Sequence, residues 1–158
     1  ELVLEGRVDA AAMLLGHRYW VEGPVVTGDQ RGRTLGVPTA NVQVDRELLP
    51  KLGVYASYAV LDDGARFLSV TNVGLRPTFT AGDTAVRFEA HLFDFSGDLY
   101  GRTLRLELVT HLREERRFPS VEALKVQIHQ DIAAARAALG ALPPVQGPVQ
   151  GPSVQGTR

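Results

Sequence analysis

The segment from Gly28 to Asn41 carries the residues best suited to phosphate chemistry. Glycines recur every four residues from Gly28 to Gly36, and Arg31 and Arg33 lie between them. Glycine lets backbone N–H groups approach an anion closely, and the two guanidinium groups add positive charge. This pattern is typical of a phosphate-binding loop, and an ordinary hairpin connection with solvated arginines is the alternative.

Thr39 directly follows Pro38 at the end of this loop, and Asn41 lies two residues after Thr39. In a strand, such a spacing places both side-chain oxygens on the same face. Neutral oxygen ligands suit Mg²⁺, which keeps several waters and takes its other ligands from substrate phosphates. The alternative is that both side chains satisfy backbone groups at the start of a strand.

Glu89 is a candidate general base. It lies within a strictly alternating segment, on the face opposite the apolar residues and beside His91. A carboxylate in this position could accept the proton of a hydroxyl nucleophile if it were partly buried. An exposed charged row shared with Arg87 is the alternative, and His91 is interpreted as structural because no matching ligand lies at metal spacing.

Arg113, Arg116 and Phe118 form a basic and aromatic cluster ahead of a predicted helix. Such a cluster could hold a planar ring or a phosphate, and a solvated charge run is the alternative. The polar segment at 72–78 is interpreted as a loop at the end of a strand.

Length and composition indicate one globular domain. The chain has 158 residues, 17 Lys plus Arg against 18 Asp plus Glu, and no Cys. A net charge of -1 argues against a nucleic acid or an anionic membrane as the partner, and the absence of thiols suits the cytoplasm. No apolar run long enough to span a bilayer and no signal peptide is recognisable, and the start at Glu1 suggests a fragment.

Alternation and turn signals predict five or six short strands with helices only at the two ends, which indicates a small antiparallel barrel or sandwich. No βαβ unit is recognisable, and the glycine loop lacks the P-loop pattern. The predicted strands are Tyr19 to Val26, a strand from Thr39, Val54 to Leu61, Arg66 to Val73, Val86 to Phe93 and Thr103 to Val109.

The two ends of the chain divide it into three parts. Residues 1–18 are expected to hold a short helix, Ala10 to Leu15, and residues 19–140 the domain itself. Pro-Val-Gln-Gly repeats predict disorder for 141–158. After Ser120, a long helix ending at Gly140 is predicted. Its expected apolar stripe is Val121, Leu124, Ile128, Ile132, Ala135 and Leu139.

Five motifs occur in the order and spacing of the riboflavin kinases, and this chain resembles that family from Tyr19 to Leu139. They are RGRTLGVPTAN at 31–41, LPKLGVYA at 49–56, TNVGLRPTF at 71–79, FEAHLFDFSGDLYG at 88–101 and LREERRF at 112–118. The earlier segment GRVDAAAMLLGHRYWVEG is similar to the connection that follows the adenylyltransferase domain in bacterial bifunctional enzymes. That likeness implies fusion to an FMN adenylyltransferase domain in the full-length protein.

The resemblance implies a mainly β fold, a six-stranded antiparallel, Greek-key-like barrel with a C-terminal amphipathic helix. It also implies that Thr39 and Asn41 lie at Mg²⁺ and that the loop with Gly28 and Arg33 covers the phosphates of ATP. Thr39 would then also contact ATP. The residues expected near its adenine or ribose are Leu92, Asp94 and Tyr100.

The same resemblance implies that Glu89 is the catalytic base toward the ribityl 5′-hydroxyl of riboflavin. Arg113, Arg116 and Phe118 would bind the flavin. The reaction would convert riboflavin and ATP to FMN and ADP. A non-catalytic flavin- or nucleotide-binding barrel is the alternative function.

Overall fold

The computed structural model describes residues 19–26, 38–44, 49–77 and 84–140. Ala10 to Leu15, the loop with Gly28 and Arg33, and the tail at 141–158 lie outside this part of the chain. The elements are β1 Tyr19–Val26, β2 Ala40–Val42, β3 Gly53–Leu61, β4 Arg66–Pro77, β5 Thr84–Leu92, β6 Thr103–Arg113 and α1 Val121–Gly140.

The six strands form a closed antiparallel barrel in the order β1-β2-β5-β4-β3-β6. Strands β3, β4 and β5 are sequential neighbours, whereas the chain crosses over between β2 and β3 and between β5 and β6. Closure leaves no free sheet edge among the six described strands. The predicted mainly β, Greek-key-like barrel with a C-terminal helix is confirmed, and the sandwich alternative is excluded.

The barrel interior is filled by one face of every strand. On β5, Phe88, Ala90 and Leu92 point inward, as the alternation predicts, which leaves Glu89 and His91 on the outer face. The side chains that are completely or almost completely buried include Tyr55, Phe88, Leu104, Leu106 and Leu108. Burial of these side chains provides most of the driving force for closing the barrel.

A hydrogen-bonded group of three hydroxyls interrupts the apolar interior. Ser57 Oγ lies 2.8 Å from both Ser69 Oγ and Thr71 Oγ1, and all three residues are fully buried. Because each hydroxyl has a partner, these polar groups can be buried without a large desolvation cost. Their hydrogen bonds connect β3 with β4 inside the barrel.

The helix α1 packs on the outside of the barrel. The backbone N–H of Ala123 donates to Ser120 Oγ at 3.1 Å, so the predicted N-cap is confirmed. Ala135 and Leu139 are buried against β3 and β4, but the predicted stripe is wrong at its start, where Val121 is 57% exposed. The helix in the described part of the chain is not apolar enough to cross a membrane.

Strand β4 extends past the predicted end at Val73, and residues 74–77 belong to it rather than to a loop. Gly74 pairs with Arg87, and Pro77 pairs with Thr84 on β5. Glycine and proline favour turns in isolation, but here pairing along β5 outweighs that local preference. This extension places Asn72 within the sheet instead of at its end.

Candidate active site on the outer face of the barrel

Three polar residues form a row across neighbouring strands on the outer face of the barrel. Asn41 of β2 is the direct partner of Glu89 on β5, and Glu89 is the direct partner of Asn72 on β4. Side chains of directly opposite residues lie about 5 Å apart. The barrel therefore places a candidate metal ligand, a candidate base and a second amide side by side.

The two candidate metal ligands occupy different environments. Asn41 is buried, and its Oδ1 accepts a hydrogen bond from Arg87 Nη1 at 3.3 Å. Thr39 is exposed and directly precedes β2, where His91 Nδ1 donates to the carbonyl oxygen of Pro38 at 2.8 Å. The bond from His91 fastens the entry to β2, in keeping with a structural role for that residue.

Glu89 is half-buried in the middle of β5. Strands on both sides hold its backbone, which restricts the positions that its carboxylate can take. A carboxylate that is partly buried and restricted in this way is suited to accept a proton from a hydroxyl bound beside it.

Asn72 belongs to this row, although the sequence places it where the predicted strand, Arg66 to Val73, meets the predicted loop. The residue is half-buried, and its Oδ1 is buried without a hydrogen-bond partner in the described part of the chain. The signal that could have indicated its position is the alternation of Val70, Asn72 and Gly74 with Thr71 and Val73, which continues the strand pattern.

Cross-strand pairing connects Asn72 with the cluster that contains Arg113, through Val54, which is buried in the apolar cluster beneath α1. Asn72 pairs with Val54 on β3, and Val54 pairs with Arg113 at the end of β6. Arg113 Nε donates to Asp131 Oδ1 and Nη2 to Asp131 Oδ2, both at 2.8 Å. This bidentate pair joins the end of β6 to α1 and orients the guanidinium group.

Phe118 lies next to two cations. The guanidinium carbon of Arg116 is 5.0 Å from the centre of the Phe118 ring, and that of Arg113 is 5.7 Å away. Arg116 Nη2 donates to Gln127 Oε1 at 2.8 Å, and Gln127 Nε2 donates to Asp131 Oδ1 at 2.9 Å. The structure thus brings Arg113, Arg116 and Phe118 together as one ordered cationic and aromatic cluster.

The three residues expected near the adenine or ribose are disposed differently. The side chain of Leu92 is in the barrel core, so only its backbone can face a ligand. Asp94 has a positive φ of 59° and lies 3.6 Å from Arg136 Nη1, whereas Tyr100 is 64% exposed. Gly28 and Arg33, expected at the phosphates, lie outside the described residues.

Solved structures share this fold. A protein described as a macrolide-efflux protein from Streptococcus pneumoniae matches 85% of this chain and 44% of its own, with a TM-score of 0.79 and 35% identity. The riboflavin kinase from Trypanosoma brucei matches 82% of this chain and 90% of its own, with a TM-score of 0.55. At 20% identity, the second likeness concerns the fold alone.

Family and relatives agree with the motifs. The family model for riboflavin kinase, Flavokinase, matches residues 15–139. The bifunctional riboflavin kinase/FMN adenylyltransferase of Pseudomonas fluorescens is 49% identical over 129 residues, and that of Haemophilus influenzae is 40% identical over 137 residues. These matches cover 82% and 87% of this chain but only 41% and 44% of the relatives. The chain therefore belongs to the riboflavin kinase family.

Proposed function

We propose that this chain transfers the γ-phosphoryl group of ATP to the ribityl 5′-hydroxyl of riboflavin, giving FMN and ADP. The observation that carries this proposal is the direct pairing of Asn41 with Glu89 across β2 and β5. This pairing supports the proposal because it brings a candidate oxygen ligand for a phosphate-bound cation beside a candidate carboxylate base. Phosphoryl transfer to a hydroxyl needs both groups close to the same reacting atoms.

Glu89 accepts the proton of the 5′-hydroxyl in this mechanism. The hydroxyl oxygen forms a bond to the γ-phosphorus while the bond from that phosphorus to the β,γ-bridging oxygen breaks, and ADP leaves. The half-buried position of Glu89 between two strands supports this role, because its carboxylate is restricted but not fully enclosed. Positioning and charge neutralisation provide most of the acceleration in reactions of this kind.

The residues present fit a magnesium ion. Asn41 offers a buried amide oxygen that is already oriented by Arg87, and Thr39 offers an exposed hydroxyl two residues earlier. When bound, magnesium neutralises charge on the β- and γ-phosphates. The positive charge of Arg87, whose Nη1 donates to Asn41 Oδ1, would compete with a cation at that oxygen.

ATP would extend from Thr39 and Asn41 toward the loop that contains Gly28 and Arg33. These two residues are proposed to contact its phosphates, and Thr39 would lie at the γ-phosphate end. The residues proposed for the adenine or ribose end are Leu92, Asp94 and Tyr100. For Leu92, such a contact would involve the backbone, because the side chain is in the core.

Riboflavin would extend from Glu89 past Asn72 toward the cluster at Arg113. From Glu89 to Arg113 this path crosses three strand spacings of about 4.8 Å, or about 14 Å in all. A flavin extended over this distance places its chain at Glu89 and its ring near Phe118. Phe118 would contact the ring face, and Arg113 and Arg116 would provide positive charge and hydrogen-bond donors beside it.

The test is incubation of the chain with riboflavin, ATP and Mg²⁺, followed by chromatographic separation of the flavins. We expect FMN to accumulate without FAD. Flavin binding, measured by fluorescence quenching, in the absence of FMN formation would instead favour the non-catalytic binding barrel. If the chain neither binds flavin nor forms FMN, both functions are refuted.

The bifunctional relatives suggest a further domain. This chain spans less than half of their length, and their names include FMN adenylyltransferase. We infer that the full-length protein joins this kinase module to an FMN adenylyltransferase domain and acts in the cytoplasm. Assay of the full-length protein for FAD would test the first inference, because adenylylation of FMN is expected only when that domain is present.

A further inference from the structure

Asn72 has an unused hydrogen-bond acceptor in the polar row. Its Oδ1 is buried and has no partner in the described residues, whereas Oδ1 of Asn41 accepts a bond from Arg87. Leaving a buried acceptor unpaired costs free energy, so such an atom calls for an explanation. A ligand that brings a hydrogen-bond donor to this place would remove the cost.

The neighbours of Asn72 limit what that ligand group can be. The carboxylate of Glu89, directly opposite on β5, only accepts hydrogen bonds when ionised. The amide therefore favours an orientation with Nδ2 toward Glu89 and Oδ1 directed elsewhere. On its other side is the apolar Val54, which has no donor in its side chain.

The phosphate end of ATP, which is the part expected beside Glu89, is a poor match for this acceptor. Its phosphate oxygens accept hydrogen bonds, and a phosphate beside Asn72 Oδ1 would leave both atoms without a donor. The ribityl chain of riboflavin, in contrast, carries several hydroxyls that can donate. In the proposed orientation, this chain must pass Asn72, because Asn72 lies between Glu89 and the cluster at Arg113.

We propose that Asn72 Oδ1 accepts a hydrogen bond from a ribityl hydroxyl other than the one that is phosphorylated. This inference rests on the proposed function and adds a specificity determinant to it. Asn72 is partly exposed, so a rotation of its amide brings Oδ1 to an approaching hydroxyl. The site then selects flavins with a polyol chain over flavins whose chain carries only the terminal hydroxyl.

A pair of substrates tests this selection. One is riboflavin, and the other is a flavin with an unbranched 5-hydroxypentyl chain, which retains the reacting hydroxyl but lacks the others. A site built to bind a hydroxyl rejects an analogue that lacks it. We expect the wild-type chain to show a lower kcat/KM and a weaker Kd for the hydroxypentyl flavin.

The decisive variant is Asn72→Leu, which replaces the amide by an apolar group of similar size. We expect the ratio of kcat/KM for riboflavin to kcat/KM for hydroxypentyl flavin to fall about tenfold, the effect of one lost hydrogen bond. Any effect of the missing Nδ2 on Glu89 is common to both flavins and cancels in this ratio. The Kd values from flavin fluorescence should change in parallel. Asn72→Ser, which shortens the reach of the acceptor, should show the same loss of selection if the leucine variant folds poorly.

Gln43→Leu is the matched control, because Gln43 is an exposed amide just beyond β2. It should preserve the preference of the wild-type chain. An equal loss on both flavins in the Asn72 variants would overturn the inference while leaving the kinase proposal intact. A wild-type chain that forms no FMN would instead refute the proposed function, and this inference with it.

Discussion

Asn41 lies directly opposite Glu89, although the two residues belong to motifs that are far apart in the chain. The β2–β5 pairing fixes their register, and Ala40 and Ala90 occupy the next position on the inner face. A shift by one residue would turn one of the two polar side chains into the barrel core. The packed interior of the barrel therefore protects the geometry of the proposed site.

Glu89→Gln should abolish most of the turnover without unfolding the chain. The amide has nearly the same shape but cannot accept the proton, and a positioned base typically contributes about 10²- to 10⁴-fold. We expect kcat for FMN formation to fall within that range, with KM for riboflavin and the melting temperature almost unchanged. Steady-state assays and circular dichroism melting measure these quantities.

The control for this change is Glu22→Gln. Glu22 is also a strand carboxylate but is exposed on β1, away from the polar row. Its variant should retain the wild-type rate. A Glu89→Gln chain that turned over at nearly the wild-type rate would contradict the assignment of the base.

Arg87→Gln should lower the magnesium concentration that half-saturates the reaction. Arg87 donates to Asn41 Oδ1, so its positive charge competes with a cation for the same atom. Removing a charge at such a distance in a solvated site is worth about 1 kcal/mol, or about fivefold in affinity. Magnesium titrations of FMN formation, and of the thermal shift in the presence of ATP, give two independent measurements.

Lys125→Gln provides the comparison for this second variant, because Lys125 is exposed on α1 and has the same charge. It should leave the magnesium titration unchanged. If Arg87→Gln raised the magnesium requirement instead, Arg87 would be helping to hold the phosphates and not competing with the metal.

The strands were predictable because each buries one face, but their register was not. Alternation alone placed Glu89 on the outer face, and two-residue spacing placed Thr39 and Asn41 together. Which residues become cross-strand partners depends on contacts between distant segments, and no local pattern encodes that. The segment at 74–77 shows the same limit, since its turn-forming residues lie in a strand that β5 stabilises.

The sequence of α1 contains an indication of a buried ion pair, because an acidic residue interrupts its apolar stripe. Asp131 lies three residues after Ile128 and four before Ala135, within the expected apolar stripe, and it is buried. A lone acidic residue on a packing face requires a charged partner. Arg113 on β6 is that partner, which could have been suspected from the sequence but located only by the fold.

Asp131→Ala should weaken both the fold and flavin binding. Asp131 accepts two hydrogen bonds from Arg113 and one from Gln127, so its loss frees both side chains. Breaking a fully buried pair costs about 3–5 kcal/mol, and we expect about 3 here because Arg113 remains partly exposed. Urea unfolding should show this loss, and KM for riboflavin should rise more than KM for ATP.

The matched helix control is Gln130→Ala, because Gln130 is exposed on α1 beside Asp131. It should change neither the free energy of unfolding nor KM for riboflavin. Unequal effects on the two substrates separate a role at the flavin from general destabilisation. An Asp131→Ala chain with wild-type stability would show that the pair does not hold α1 to the barrel.

The Asp62–Arg102 pair should make stability depend on pH in the acid range. Hydrogen bonds from Arg102 hold the pKa of Asp62 below its ordinary value near 3.8. A depressed pKa in the folded state means that this stabilisation is present above pH 3.8 and is lost as the pH falls through the folded-state pKa. In urea titrations, Asp62→Asn should therefore be less stable than wild type at about pH 6, with a difference that shrinks below about pH 3 and in high salt. A difference that grew on acidification would mean that Asp62 is more easily protonated in the folded chain, the opposite of what its contacts with Arg102 imply.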